Sequence, residues 1–199
     1  MKKRLLLLGV MILCALILSC QKKKTEENVN KEQLKQAVAK KDFSVIHFDR
    51  NDVATFIKTN PSINEIVAKY DAEIMKLPNK DDSFAIEKIK EKAKNEIKEY
   101  LASQKIDFDV YAAKSEKIIR VFMGEKIKSE PDILETKRKQ LELIEKDPAK
   151  REEMLKAMAE AMKNLEKTYL QGATEEELSI IKTNTKQLEI LMKNRQIKM

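Results

Sequence analysis

Cysteine is almost missing from this chain of 199 residues, which carries only Cys14 and Cys20. The body from Gln21 onward therefore has no thiol for a disulfide, and packing alone must hold it. Histidine is present once, at His47. A single histidine rules out a two-histidine metal site, and no cysteine stands beyond Cys20 to supplement it. The di-iron bundle pattern, with glutamate three residues before histidine, is broken because Ser44 occupies that position. A haem held between His47 and a methionine has nothing further in its favour, and His47 reads as a packed residue in the patch of Phe43, Ile46 and Phe48.

Glycine is nearly as scarce. Gly9, Gly124 and Gly172 are too scattered for a phosphate-cradling loop or a nucleophile elbow, which argues against nucleotide hydrolysis and serine-esterase chemistry. Tryptophan is absent, so a sugar-stacking cleft is poorly supplied. The carboxylates are interleaved with lysines, the pattern of a solvated helix face rather than of an acid and base paired in a cleft. No catalytic, cofactor-binding or metal-ligating residue is predicted.

What is abundant is charge. Asp, Glu, Lys and Arg make up 37% of the chain, well above the ~25% of an ordinary domain. The formal net charge is +7. Six of the 40 basic residues lie within the first 24 positions, which leaves 34 against 33 acidic residues. A basic excess confined to one end is not the footprint of a phosphate-tracking groove, and nucleic acid is rejected as a partner. High charge with few glycines and prolines describes long, solvent-facing helices.

The N-terminus reads as an address. Lys2, Lys3 and Arg4 precede an apolar run from Leu5 to Leu18, and Ser19-Cys20 closes it. That is the layout of a secretory signal peptide. The run is shorter than the ~20 apolar residues that a membrane-spanning helix needs. An uncleaved anchor or an ordinary signal peptide with a coincidental cysteine are the alternatives. Leu16-Ile17-Leu18-Ser19-Cys20 resembles a bacterial lipobox, and the resemblance implies cleavage before Cys20 and lipidation of it. Two or more acyl chains would make that anchoring stable. The boundaries expected are a signal peptide over 1–19, a lipidated disordered tether over 20–30, and a single helical domain over 31–199.

Along that domain, apolar residues recur at helical spacing. A weak helix is expected over Lys31 to Lys41, and Phe43 to Phe48 is too brief to assign to strand or loop. Asp49 with Asp52 starts a helix, and Asn60-Pro61 is read as restarting it, with asparagine as cap and proline at the first helical position. Pro78 to Asp82 is a turn, and Asp82 or Ser83 caps the next helix. Asp107 opens another that ends near Gly124 or a turn later. Asp147-Pro148 repeats the cap-plus-proline start. Gly172 suits a left-handed stop, and Thr174 with Glu177 forms a capping box. The short connection between these last two helices predicts an antiparallel pair. The whole reads as an all-α antiparallel bundle of about six helices.

Asn60-Pro61, Asp107-Phe108-Asp109-Val110-Tyr111, the Met154 to Met162 run and the Thr174 hairpin resemble a loose group of uncharacterised bacterial all-helical lipoproteins, over roughly residues 60 to 199. That group carries over no catalytic residue. Met154, Met158 and Met162 form a stripe at four-residue spacing. It reads either as an adaptable groove for a partner helix or acyl chain, or as a core seam shared with Leu155 and Leu165, which is the simpler reading. Lys182, Lys186, Lys193, Arg195 and Lys198 against Glu189 read either as a contact for anionic lipid or an acidic partner or, more simply, as complementing the last helix's dipole, as Glu175 to Glu177 do at its start. The expectation is a non-enzymatic protein of the bacterial cell envelope, with the outer membrane favoured. It is held to the membrane through Cys20 and binds or assembles with an envelope protein partner. A carrier or chaperone for an apolar ligand, and an envelope enzyme, are the alternatives.

Overall fold

The computed structural model describes residues 27–40, 42–79, 81–129 and 132–197. The leader and Cys20 lie outside the described residues. Among the described residues seven helices are packed against one another: α1 (Glu27–Lys40), α2 (Arg50–Met75), α3 (Ser83–Ser103), α4 (Phe108–Ser129), α5 (Asp132–Ile144), α6 (Pro148–Leu170) and α7 (Glu175–Ile197). The all-α expectation holds, with one helix more than about six. Helix α1 begins inside the stretch expected as tether, because extending an anchored helix by a turn costs far less than nucleating one.

Short side chains placed one residue before five of the helices, α2, α3, α4, α6 and α7, set their starts. Asp49 accepts from the Asp52 N–H at 2.9 Å while Asp52 accepts from the Asp49 N–H at 2.9 Å, a reciprocal capping box. Asp82 accepts from the Ala85 N–H at 3.0 Å, and Asp107 from Asp109 and Val110, both at 3.1 Å. Asp147 accepts from the Ala149 N–H at 2.9 Å, with Pro148 opening α6. Thr174 and Glu177 exchange bonds as expected, Thr174 N–H to Glu177 at 2.9 Å and Glu177 N–H to Thr174 at 3.2 Å.

Asn60-Pro61 does not restart a helix. Residue 61 sits within the unbroken α2. Asn60 is buried and its amide oxygen accepts from Asn64 Nδ2 at 2.8 Å, so it is a packed residue and not a cap. The helix continues because Val53 and Phe56 before the proline and Ile63 after it enter the same core. That shared burial offsets the hydrogen bond that proline cannot donate to Ile57.

The main core joins Val53, Phe56 and Ile63 of α2, Ile97 and Leu101 of α3, Ile118, Val121 and Phe122 of α4, and Ile180, Ile181 and Leu188 of α7. A second cluster joins Leu34, Ala37 and Val38 of α1 with Phe43, Ile46 and Ala113. The segment between α1 and α2 is a loop whose Phe43, Ile46 and Phe48 point inward. Helices α2 and α3 run antiparallel, tied by Lys69 to Glu96 at 2.6 Å and Lys92 to Glu73 at 3.3 Å.

Helix α4 is the common neighbour. It packs most extensively on α6 and also on α1, α2, α3 and α7. Helix α6 runs antiparallel to it, with Lys117 level with Gly172 and Arg120 with Thr168. Helix α7 runs parallel to it, with Lys117 level with Glu177 and Lys126 with Glu189. The last two helices are therefore antiparallel, as expected, but each packs mainly on other helices: α6 lies on α4 and α5, α7 on α4 and α2. The cause is local. Gln171 is extended (φ −58°, ψ 123°) and Gly172 is left-handed (φ 73°), so the chain leaves α6 through two consecutive non-helical residues.

Candidate interaction surface

Helix α6 is held at the edge of the molecule. None of its residues is fully buried. Leu155, Met158, Met162 and Tyr169 are half-buried and recur every three or four residues, so they form the seam toward α4 and α5. The two helices approach closely at Gly124, where an added Cβ would collide with the Leu170 side chain. The sequence-predicted stripe is thus split. Met158 and Met162 belong to the seam, whereas Met154 is 44% exposed and Leu165 is 47% exposed. Met154, Ala157, Ala161 and Leu165, all exposed, recur at three- and four-residue spacing as a second apolar line beside the seam.

Helix α5 adds to this surface. Leu141 is buried, but Leu143 is 86% exposed and Ile144 is 76% exposed at the turn into α6. Ile144 lies outside the core because α5 ends there and Asp147 starts the next helix three residues on. The pair α5–α6 therefore presents large apolar side chains that are left exposed among the described residues.

A second constellation lies inside the molecule and escaped the sequence reading. Lys117 and Glu177 form an ion pair at 2.8 Å, with side chains 1% and 2% exposed. The ammonium also donates to the Ile46 carbonyl and to Gly172 O at 3.0 Å. Glu177 accepts in addition from the Phe48 N–H at 3.2 Å. His47, expected to be packed, is instead 66% exposed, with Nδ1 at 3.8 Å from Glu177 Oε1. Alternation within the loop sends Ile46 and Phe48 inward and the residue between them outward. The signal for Lys117 was present in the sequence: it stands four residues from Ala113 and four from Val121, on the apolar face of α4.

A cleft of about 120 Å³ opens between α2 and the start of α4, lined among others by Asp52, Asp107, Tyr111 and Lys114. Its polar groups are engaged with protein neighbours. Lys114 donates to Asp52 at 2.7 Å, and the Thr59 hydroxyl donates to the Tyr111 oxygen at 2.8 Å. Elsewhere, Lys69 and Tyr70 both donate to Glu96, which holds its carboxyl below the usual range. Burial pushes the Asp71 carboxyl up. The charged C-terminal helix does more than complement its dipole. Glu189 accepts from Lys126 at 2.7 Å, a bond that holds its carboxyl low, and Lys182 stands 3.5 Å from Glu125.

Among the described residues no group of three or more His, Cys, Asp and Glu side chains is placed to hold a metal ion. No described helix is long and apolar enough to cross a membrane. Neither a protein-family model, nor a curated protein, nor a solved structure matches this chain.

Proposed function

We propose that this is a lipid-anchored protein of the bacterial cell envelope, with the outer membrane favoured, whose role is non-enzymatic: it binds or assembles with an envelope protein. The observation that carries the binding role is the α5–α6 surface, where Leu143, Ile144, Met154 and Leu165 lie open on helices attached at the edge of the molecule. Large apolar residues grouped on one exposed element mark contact sites more often than scattered ones do. The anchor is supported by the order of charge, apolar run and Ser19-Cys20 in the sequence. The carrier reading is less well supported. A cleft of about 120 Å³ is smaller than the ~150 Å³ that accommodates one benzene ring, so an acyl chain would require the helices to part.

The test is cross-linking of the full chain in intact envelopes, followed by mass spectrometry. One recurrent protein adduct is expected through α5–α6. Leu143→Asp and Met154→Asp should abolish it while leaving the melting temperature within about 2 °C, as exposed substitutions do. An adduct that survives both substitutions would move the contact elsewhere. In parallel, Cys20→Ala should release the chain from the membrane fraction or leave its leader uncleaved; unchanged retention with a normal mature mass would remove the lipid anchor.

A further inference from the structure

Helix α6 carries two lines of apolar residues, and the chain uses one of them. Leu155, Met158, Met162 and Tyr169 form the seam, whereas Met154, Ala157, Ala161 and Leu165 are exposed. The exposed line reads large, small, small, large, and that order is nearly the same from either end. Turned end for end about a point between Ala157 and Ala161, Met154 falls on Leu165 and each alanine on the other. The midpoints of the two pairs differ by about half a residue, or about 0.8 Å along the axis. Two helices that cross are closest where they cross and diverge toward their ends, so a line small in the middle and large at both ends suits an antiparallel copy of itself. The charges beside the line follow the same symmetry. Glu153, Glu160 and Lys167 recur every seven residues along one edge, all exposed, and among the described residues none of the three is held in an ion pair. In an antiparallel pair Glu153 of each copy lies beside Lys167 of the other, and Glu160, close to the midpoint, lies beside its counterpart. Two attractions thus stand against one repulsion.

We propose that the exposed line of α6 is the contact for a second copy of this chain, the two α6 helices lying antiparallel about a two-fold axis beside Ala157 and Ala161. The interface is isologous, so each residue and its counterpart must fit the same surface, and the pattern of size and charge along α6 meets that condition. Antiparallel pairing also sets the turn into α6, where Leu143 and Ile144 are open, beside the last turn of the other copy's α6. This rests on the binding surface proposed above and names its partner. The apolar area is small, so the pair forms most readily where chains are concentrated, as they are when held on one membrane.

Charge reversal tests this by native mass spectrometry of the full chain from detergent micelles. Glu153→Lys and Lys167→Glu each turn both attractions into repulsions, and each variant alone should dimerise about tenfold more weakly than the unaltered chain. Both positions are exposed, so the melting temperatures should stay within about 2 °C. Mixed in equal amounts, the two variants should form a heterodimer, because the altered position 153 of one copy meets the altered position 167 of the other, and the unaltered pair remains opposite in charge. Glu160→Gln removes the one repulsion and should strengthen the homodimer by about two- to fivefold, an effect specific to a residue that meets its own counterpart. An unaltered chain that stays monomeric, or a mixture with no more dimer than the separate variants, would overturn the proposal. Should cross-linking in envelopes then still return a different protein through α5–α6, the binding surface stands and only its assignment to a second copy falls.

Discussion

Lys117 uses all three of its N–H donors inside the protein, on a loop carbonyl, a turn carbonyl and a carboxylate. A buried ion pair of this kind is costly to break, because removing one partner strands the other's charge away from water. Lys117→Met and Glu177→Leu should each destabilise by about 3–5 kcal/mol in urea unfolding. The double substitution should cost less than the two together by about 1–3 kcal/mol, since neither charge is then left alone. Strict additivity would mean that the two side chains act independently. Asp71 makes a different prediction. Burial raises its pKa above the ordinary 3.8, so the folded chain binds this proton more tightly than the unfolded one. The charged carboxylate therefore opposes folding above the raised pKa, and that opposition fades as pH falls toward 3.8 and below. Asp71→Asn should raise the melting temperature at neutral pH, and the gain should narrow on acidification; a gain constant with pH would assign it to packing instead.

At the scale of the element, the capping residues were legible and their meaning was not always so. Asp49, Asp82, Asp107, Asp147 and Thr174 each open a helix as their type and position indicate. Asn60-Pro61 and Asp147-Pro148 carry the same local signature, yet only the second is a helix start. What separates them is burial of Asn60 among residues distant in sequence, which a local pattern does not contain. Pro61 is exposed and lacks the N–H that would reach Ile57, so Pro61→Ala should restore a hydrogen bond without opening a cavity. A stabilisation of about 1–3 kcal/mol is expected from this, reduced by the greater freedom that alanine gives the unfolded chain. Thermal unfolding of the variant decides it; a loss of stability would show that α2 is shaped around its proline. The methionine stripe was legible in part for a related reason. Spacing identifies an apolar face, but Met154 and Met158 differ by only one turn and 40° around α6, and that small rotation separates surface from seam.

At the scale of the whole molecule, periodicity identified an all-α chain, and the apolar residues at helical spacing within it, Val53 and Phe56, Ile97 and Leu101, Ile181 and Leu188, are the ones that enter the core. It did not identify which helix covers which. The connection between α6 and α7 is only four residues long, yet both helices turn to α4, because Gly124 admits Leu170 closely on one side and Lys117 draws Glu177 in on the other. Those contacts join residues 46 to 60 positions apart, beyond the reach of any local pattern. The placement of α4 at the centre also orders events in time. Its partners come from both ends of the chain, Lys35 before it and Glu177 and Glu189 after it. During synthesis, Lys117 has no carboxylate from Glu177 to meet until the last helix begins to appear, and the faces of α2 and α4 that α7 covers stay open to solvent until then. The chain completes its fold only when it is nearly all available at once.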